Sequence, residues 1–150
     1  MITDDAGRRL MFNGVLVFLL GLGTGLILDF GLFTNAQMGL AAHLEGVLNG
    51  LFLAVLGLIW PNVRLPPGVK VVARWLAVGG AYLNWIAAFW AAAMGRGRTS
   101  PIHPADRPNY FGEHLIVEAA LALLAAAFIT TCVLVLFGLR RQQAAQAEVV

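Results

Sequence analysis

The sequence predicts an all-α fold, an integral membrane four-helix bundle with both termini in the cytoplasm, and three observations predict it. First, 59% of the 150 residues are hydrophobic and only 12% are charged, a balance too apolar for a water-soluble domain. Second, four stretches reach the roughly 20 apolar residues that a helix needs to cross the hydrocarbon core: Leu10 to Leu28, Met38 to Trp60, Val69 to Met94 and His114 to Leu139. Third, basic residues gather at one set of span ends. Arg8, Arg9, Arg64, Lys70, Arg74, Arg140 and Arg141 fall on the side of the termini, against Arg96, Arg98 and Arg107 opposite. Positively charged connections face the cytoplasm. The net charge of +2 is spread over helix ends, so the partner to expect is the lipid bilayer and not nucleic acid. One multi-pass membrane domain of residues 1–150 accounts for the whole chain.

The first span follows a flank, MITDDAGRR, that contains Asp4 and Asp5, and no small-residue cleavage site succeeds it. It therefore reads as a membrane helix and not as a cleaved signal. Gly21 and Gly25 in this span, and Gly46 and Gly50 in the second, have the small-xxx-small spacing that lets helix backbones approach in lipid. A nucleotide loop is excluded for Gly21, Gly23 and Gly25, because no strand precedes them. Pro61 ends the second span, since proline lacks the donor that helix continuation needs. Trp60, Trp75 and Tyr110 lie near span ends, where amphipathic rings anchor at the interface. The third connection, GRGRTSPIHPADRPNYFGE, is long and has the make-up of a lid or irregular cap. Cys132, the one cysteine, sits within the fourth span as packing filler. No internal repeat supports an inverted-repeat transporter.

Polar residues inside spans cost free energy and mark candidate chemistry. The segment MGLAAHLEGVLNGL places His43, Glu45 and Asn49 in the opening turns of the second span. At about 100° per residue, Gly46, Gly50 and Gly57 lie close to the stripe of His43, and Asn49 lies about 120° away from it. A histidine beside a glycine-lined groove suits a flat ligand, and neutral imidazole is a common axial ligand of haem iron. His43 is thus the candidate metal ligand, with Gly46 and Gly50 as the groove. On spacing alone other roles stay open. His43 can bond a carbonyl or water, Glu45 can serve the helix N-terminus, and Asn49 can be interhelical glue. In the third span Asn84 is expected to pair with Asn49, and Tyr82, Trp85 and Phe89 form an aromatic packing stripe. His114 and Glu118 share a face at the start of span four. Asn13 and Thr24 are expected to tie span one to its neighbours.

The run NAQMGLAAHLEGVLNGLFLAVLGLIWP, followed by YLNW, resembles the hydroxylaminobenzene mutases, small four-span bacterial membrane proteins. More distantly the chain is similar to styrene oxide isomerase. The first resemblance implies an isomerase that shifts the hydroxyl of an arylhydroxylamine such as hydroxylaminobenzene to give an ortho-aminophenol, in nitroarene degradation. The second implies a homo-oligomer, a trimer, with haem b between protomers. Its iron ligand corresponds to His43 and its site asparagine to Asn49. The acid and tyrosine of that family's third helix fall at Gly80 and Ala88 here, which favours the mutase over epoxide-to-aldehyde isomerisation. Together these imply Asn49, Glu45 and Asn84 as catalytic groups around a small aromatic substrate. They also imply ferric haem as a Lewis acid on His43. A small multidrug exporter is the rival class, but its carboxylate belongs in the first span, which has none before Asp29. A non-catalytic haem-holding subunit is the third reading.

Overall fold

The computed structural model describes residues 4–95 and 111–147, and in the last helix the side chains of residues 119 and 122–141. Its elements are α1 (Asp5–Asp29), α2 (Ala36–Ile59), a 3-10 turn (Trp60–Asn62), α3 (Pro67–Ala93) and α4 (Phe111–Ala147). Each of the four helices holds a stretch long and apolar enough to cross a membrane. Arg96, Arg98, Arg107 and Tyr110, and with them the expected lid, lie outside the described residues.

The helices begin and end where local chemistry dictates. Asp4 accepts from the Gly7 amide at 2.7 Å, so α1 starts five residues before Leu10, satisfying a donor that helix geometry orphans. Asn35 does the same for α2, accepting from the Met38 amide at 3.0 Å. Pro67 opens α3 in the first turn, where its fixed φ suits a helix and its missing donor costs nothing. Gly31 and Gly95 take φ of 67° and 66° after α1 and α3, a left-handed conformation that favours glycine. At its far end α4 continues past Leu139 to Ala147, because Arg, Gln and Ala are good helix formers beyond the bilayer as well.

The tightest contact is between α1 and α2, which run antiparallel. Gly7 faces Gly57, Gly14 faces Gly50 and Gly21 faces Gly46. A β-carbon on Gly14 would stand 2.5 Å from the Ala54 nitrogen, and one on Gly46 would stand 2.5 Å from the Gly21 α-carbon. The seam therefore admits only hydrogen there. α3 packs on this hairpin through Ala73, Ala77, Ala81, Ala88 and Ala92, all buried. Two ring donors secure it. Tyr82 Oη donates to Asn13 Oδ1 at 3.1 Å, and Trp85 Nε1 donates to Thr24 Oγ1 at 3.0 Å. The roles expected of Asn13 and Thr24 are those the structure gives them. α4 lies outermost, on α3 and the turn after α2.

Backbone bonds tie the connections to neighbouring helices. Asn35 N donates to Ala92 O at 3.0 Å, and Arg64 N donates to Gly138 O at 3.1 Å. The second bond sets the chain ends, the α2–α3 connection and the C-terminal half of α4 at one end of the bundle. Two expectations fail here. Trp60 is no interfacial anchor; it is 1% exposed in the core, with the Lys70 ammonium 5.5 Å over its ring. Pro61 turns the chain back and carries the indole inward with it. Cys132 is exposed on α4 and fills no interior space. Trp75, 64% exposed, does have the position of an interfacial anchor. Large apolar side chains such as Leu19, Leu26, Leu48, Trp90 and Leu123 point outward, as a surrounding of lipid allows.

Candidate active site

Helix α2 presents two polar faces, and they lead to different neighbours. On the first, His43 reaches α1, with Nδ1 2.8 Å from the Gly21 carbonyl oxygen. A carbonyl only accepts, so Nδ1 carries the hydrogen and donates it, and in the neutral ring Nε2 keeps its lone pair. Such a backbone bond is the usual device for presenting the other imidazole nitrogen to a metal. Gly25 makes the pose possible: a β-carbon there would stand 2.7 Å from His43 Nδ1 and 2.9 Å from Cε1. Spacing assigns Gly25 to helix packing, and only the fold shows it as the seat of an imidazole.

Gly46 and Gly50 open no groove beside His43. The space left by their missing side chains holds the backbone of α1 at Gly21, Gly14 and Phe18. The groove expected for a flat ligand is thus a helix–helix contact, because close packing of two helices uses the same glycine stripe. Both glycine pairs are consumed within one chain, and they supply no argument for a second copy.

On the second face Glu45, Asn49 and Phe52 follow one another at i, i+4 and i+7. The Asn49 amide nitrogen is buried and has no hydrogen-bond partner among the described residues, and Glu45 is half-buried with Oε2 closed off from the surface. Phe52 meets Phe128 of α4 edge-on at 5.6 Å between centroids. Gly80 of α3 faces the same Phe128 ring, 3.4 Å from where its β-carbon would be. Asn84 stands one turn beyond Gly80, on the same side of α3. Asn49 and Asn84 therefore lie on the faces of α2 and α3 that meet Phe128, but no hydrogen bond joins them, contrary to the expected pairing. Buried amides without partners are uncommon, because leaving one unsatisfied costs about 1–3 kcal/mol.

Between the two faces stands an indole. Gly46 lies midway around the helix from His43 to Asn49, and Trp85 Cδ1 would be 3.0 Å from a β-carbon on it. Trp85 also stacks, tilted, on Phe89 at 5.4 Å, and Phe89 meets Phe33 edge-on at 5.3 Å. The aromatic stripe is packing, as expected, and it separates His43 from Asn49 within the chain. The positions of the missing acid and tyrosine, Gly80 and Ala88, are both buried in helix contacts. The side chains of His114 and Glu118 lie outside the described residues. Among the described residues, no three His, Cys, Asp or Glu side chains gather where they could cage a bare ion. A haem brings four nitrogens of its own and asks the protein only for an axial ligand, which the oriented His43 fits.

Four apolar spans define a multi-pass membrane protein, and the oriented histidine and buried amide are its candidate site. Sequence comparison gives it a family. The family profile for styrene oxide isomerase matches residues 6–140, and the chain belongs to that family. It is 41% identical to hydroxylaminobenzene mutase HabB of Ectopseudomonas oleovorans over 134 residues, 89% of this chain and 80% of that one. It is 34% identical to HabA of the same organism over 133 residues, 88% of this chain and 97% of that one. No solved structure matches. Family and relatives alike are isomerases, and so is this protein.

Proposed function

We propose that the protein moves the hydroxyl group of an N-arylhydroxylamine to the ortho carbon of the ring, as a multi-pass protein of a bacterial inner membrane. In this shift the N–O bond breaks and an ortho C–O bond forms. The ring carbon then gives up a proton and the nitrogen gains one, so no outside electron donor is consumed. The carrying observation is the buried Asn49 amide, unpartnered among the described residues, one turn from Glu45. Its N–H can hold the migrating oxygen by a hydrogen bond in a setting where water does not compete. Asn84, on the face of α3 that meets Phe128, can hold the other end of the hydroxylamine group. Glu45 has the charge to stabilise positive character developing on the aryl nitrogen, and the carboxylate to move the ring proton. Phe52 and Phe128 offer flat apolar walls that keep water from adding at other ring positions.

The Nδ1 bond from His43 to Gly21 supports ferric haem b as the resident cofactor, held through Nε2. When bound, it supplies a Lewis acid for oxygen without a change of redox state. The separation of His43 from Asn49 by Trp85 supports a homo-oligomer, a trimer in this reading, in which His43 of one protomer meets Asn49 or Asn84 of its neighbour. Basic residues at the end carrying the termini support a cytoplasmic position for that end.

Chromatography of the products from hydroxylaminobenzene tests the reaction. Ortho-aminophenol as the dominant product is expected, whereas unchanged substrate or the para-rich mixture of acid catalysis counts against it. Epoxide-to-aldehyde isomerisation is the second reading, favoured by the family profile. Styrene oxide offered in parallel separates the two, and little turnover is expected, because Gly80 and Ala88 supply neither acid nor hydroxyl.

A further inference from the structure

The end of the bundle that carries the termini is basic, but its charges are not equivalent. Arg8 is paired with Asp5, and Lys70 is 3.8 Å from Asp4. Arg9 and Arg74 have no carboxylate partner among the described residues. These two line one hollow between α1 and α3, of about 230 Å³, together with Leu10, Asn13, Trp75 and Val78. The polar floor of the hollow is already spent. Asn13 Nδ2 donates to the Arg9 carbonyl at 2.7 Å, and Asn13 Oδ1 accepts from Tyr82. The Arg74 guanidinium lies 5.8 Å over the ring of Trp75, an indole exposed at the level where spans enter the headgroup region. A second hollow, lined by Trp60, Lys70 and Arg74 among others, adjoins the first through Arg74. There the buried Trp60 Nε1 has no partner among the described residues.

Two unpaired guanidinium groups on separate helices, over apolar walls and beside an interfacial indole, are complementary to a phosphate that carries acyl chains. Guanidinium groups present forked donors to phosphate oxygens, and basic pockets between spans are where acidic headgroups dock. We infer that the α1–α3 hollow binds the headgroup of an anionic phospholipid, with Arg9 and Arg74 on the phosphate and the acyl chains descending past Trp75 and Val78. The occupant is a lipid and not a free anion, because Leu10, Trp75 and Val78 offer a free phosphate nothing.

Native mass spectrometry of the full chain in neutral detergent tests this. The protein is offered equal amounts of phosphatidylglycerol and phosphatidylcholine with identical acyl chains at low salt. One phosphatidylglycerol per chain is expected to be retained, with roughly thirtyfold preference for two basic contacts. The Arg9→Gln/Arg74→Gln double variant, checked for native helicity, is expected to lose the preference, and Arg8→Gln to keep it. Equal retention of the two lipids by the unaltered protein overturns the inference without any variant. So does an equal loss in Arg8→Gln, which makes the effect general surface charge. Displacement of the lipid by inorganic phosphate in excess overturns the choice of a lipid.

Discussion

At Asn49 stability and function pull apart. Its buried amide nitrogen has no partner among the described residues, so replacing it with an apolar side chain of similar size removes a cost of about 1–3 kcal/mol. Asn49→Leu is expected to unfold at an equal or higher temperature than the unaltered protein while losing activity by about a hundredfold or more. A melting curve and a product assay on the same preparation check both halves. An Asn49 that served only as glue would show the opposite pattern, a lower melting temperature with activity falling in proportion. For His43 the expected outcome is spectroscopic: His43→Ala, folded by circular dichroism, lacks the Soret band that the unaltered protein shows after expression with ample haem. Full activity with no such band in the unaltered protein would remove haem from the reading.

The helices α1 and α2 offer a controlled comparison among glycines. A β-carbon at Gly21 would stand 2.6 Å from the Val47 nitrogen, and backbone cannot yield as a side-chain tip can. Gly21→Ala is expected to destabilise the protein by about 1–3 kcal/mol through overpacking. Gly23, two residues on, meets nothing within 4 Å, and Gly23→Ala should be neutral or gain up to about 1 kcal/mol in helix propensity. Gly25→Ala is a different case, because its neighbour is the imidazole. It should leave the helix hairpin folded but displace His43 and lower haem retention, read as a weaker or shifted Soret band. Helix number and type, and the polar residues of α2, could be read from apolar run length and from the cost of charge in lipid. The partner of the glycine stripe could not. A row of glycines advertises close approach, but not whether a helix or a ligand approaches. The burial of Trp60 was hidden for a related reason, since an interfacial and a core indole look alike at a span end until the turn at Pro61 is built.

For the whole molecule the decisive fact is the indole of Trp85 between the two polar faces of α2. In the proposed oligomer, a site that uses both His43 and Asn49 would be assembled from two chains. Co-expressing His43→Ala protomers with Asn49→Ala protomers is expected to restore part of the activity that each variant lacks alone. Verified mixed oligomers without recovery would place the whole site in one chain. Composition and periodicity could not place the indole of Trp85 between the two faces of α2. The 120° divergence on the helix wheel was legible, but what stands between the two residues depends on how α3 packs.

The glycine seam has a consequence for the birth of the protein. Its three close approaches join residues 7 to 57, 14 to 50 and 21 to 46, so all lie in a stretch that leaves the ribosome before α3 and α4. The bond from His43 to Gly21 lies inside the same stretch. Nothing later in the chain is required to bring these groups together. The first two spans can therefore close on each other in the translocon while α3 and α4 are still being made, with the imidazole already oriented. The later helices meet a finished surface: α3 latches on through Tyr82 and Trp85, and α4 through the backbone of Gly138. Chains cut after residue 62 and arrested through an unrelated polar tether long enough to clear the ribosomal exit tunnel should then already cross-link between cysteines placed at the flanking positions 15 and 51, before any other span exists.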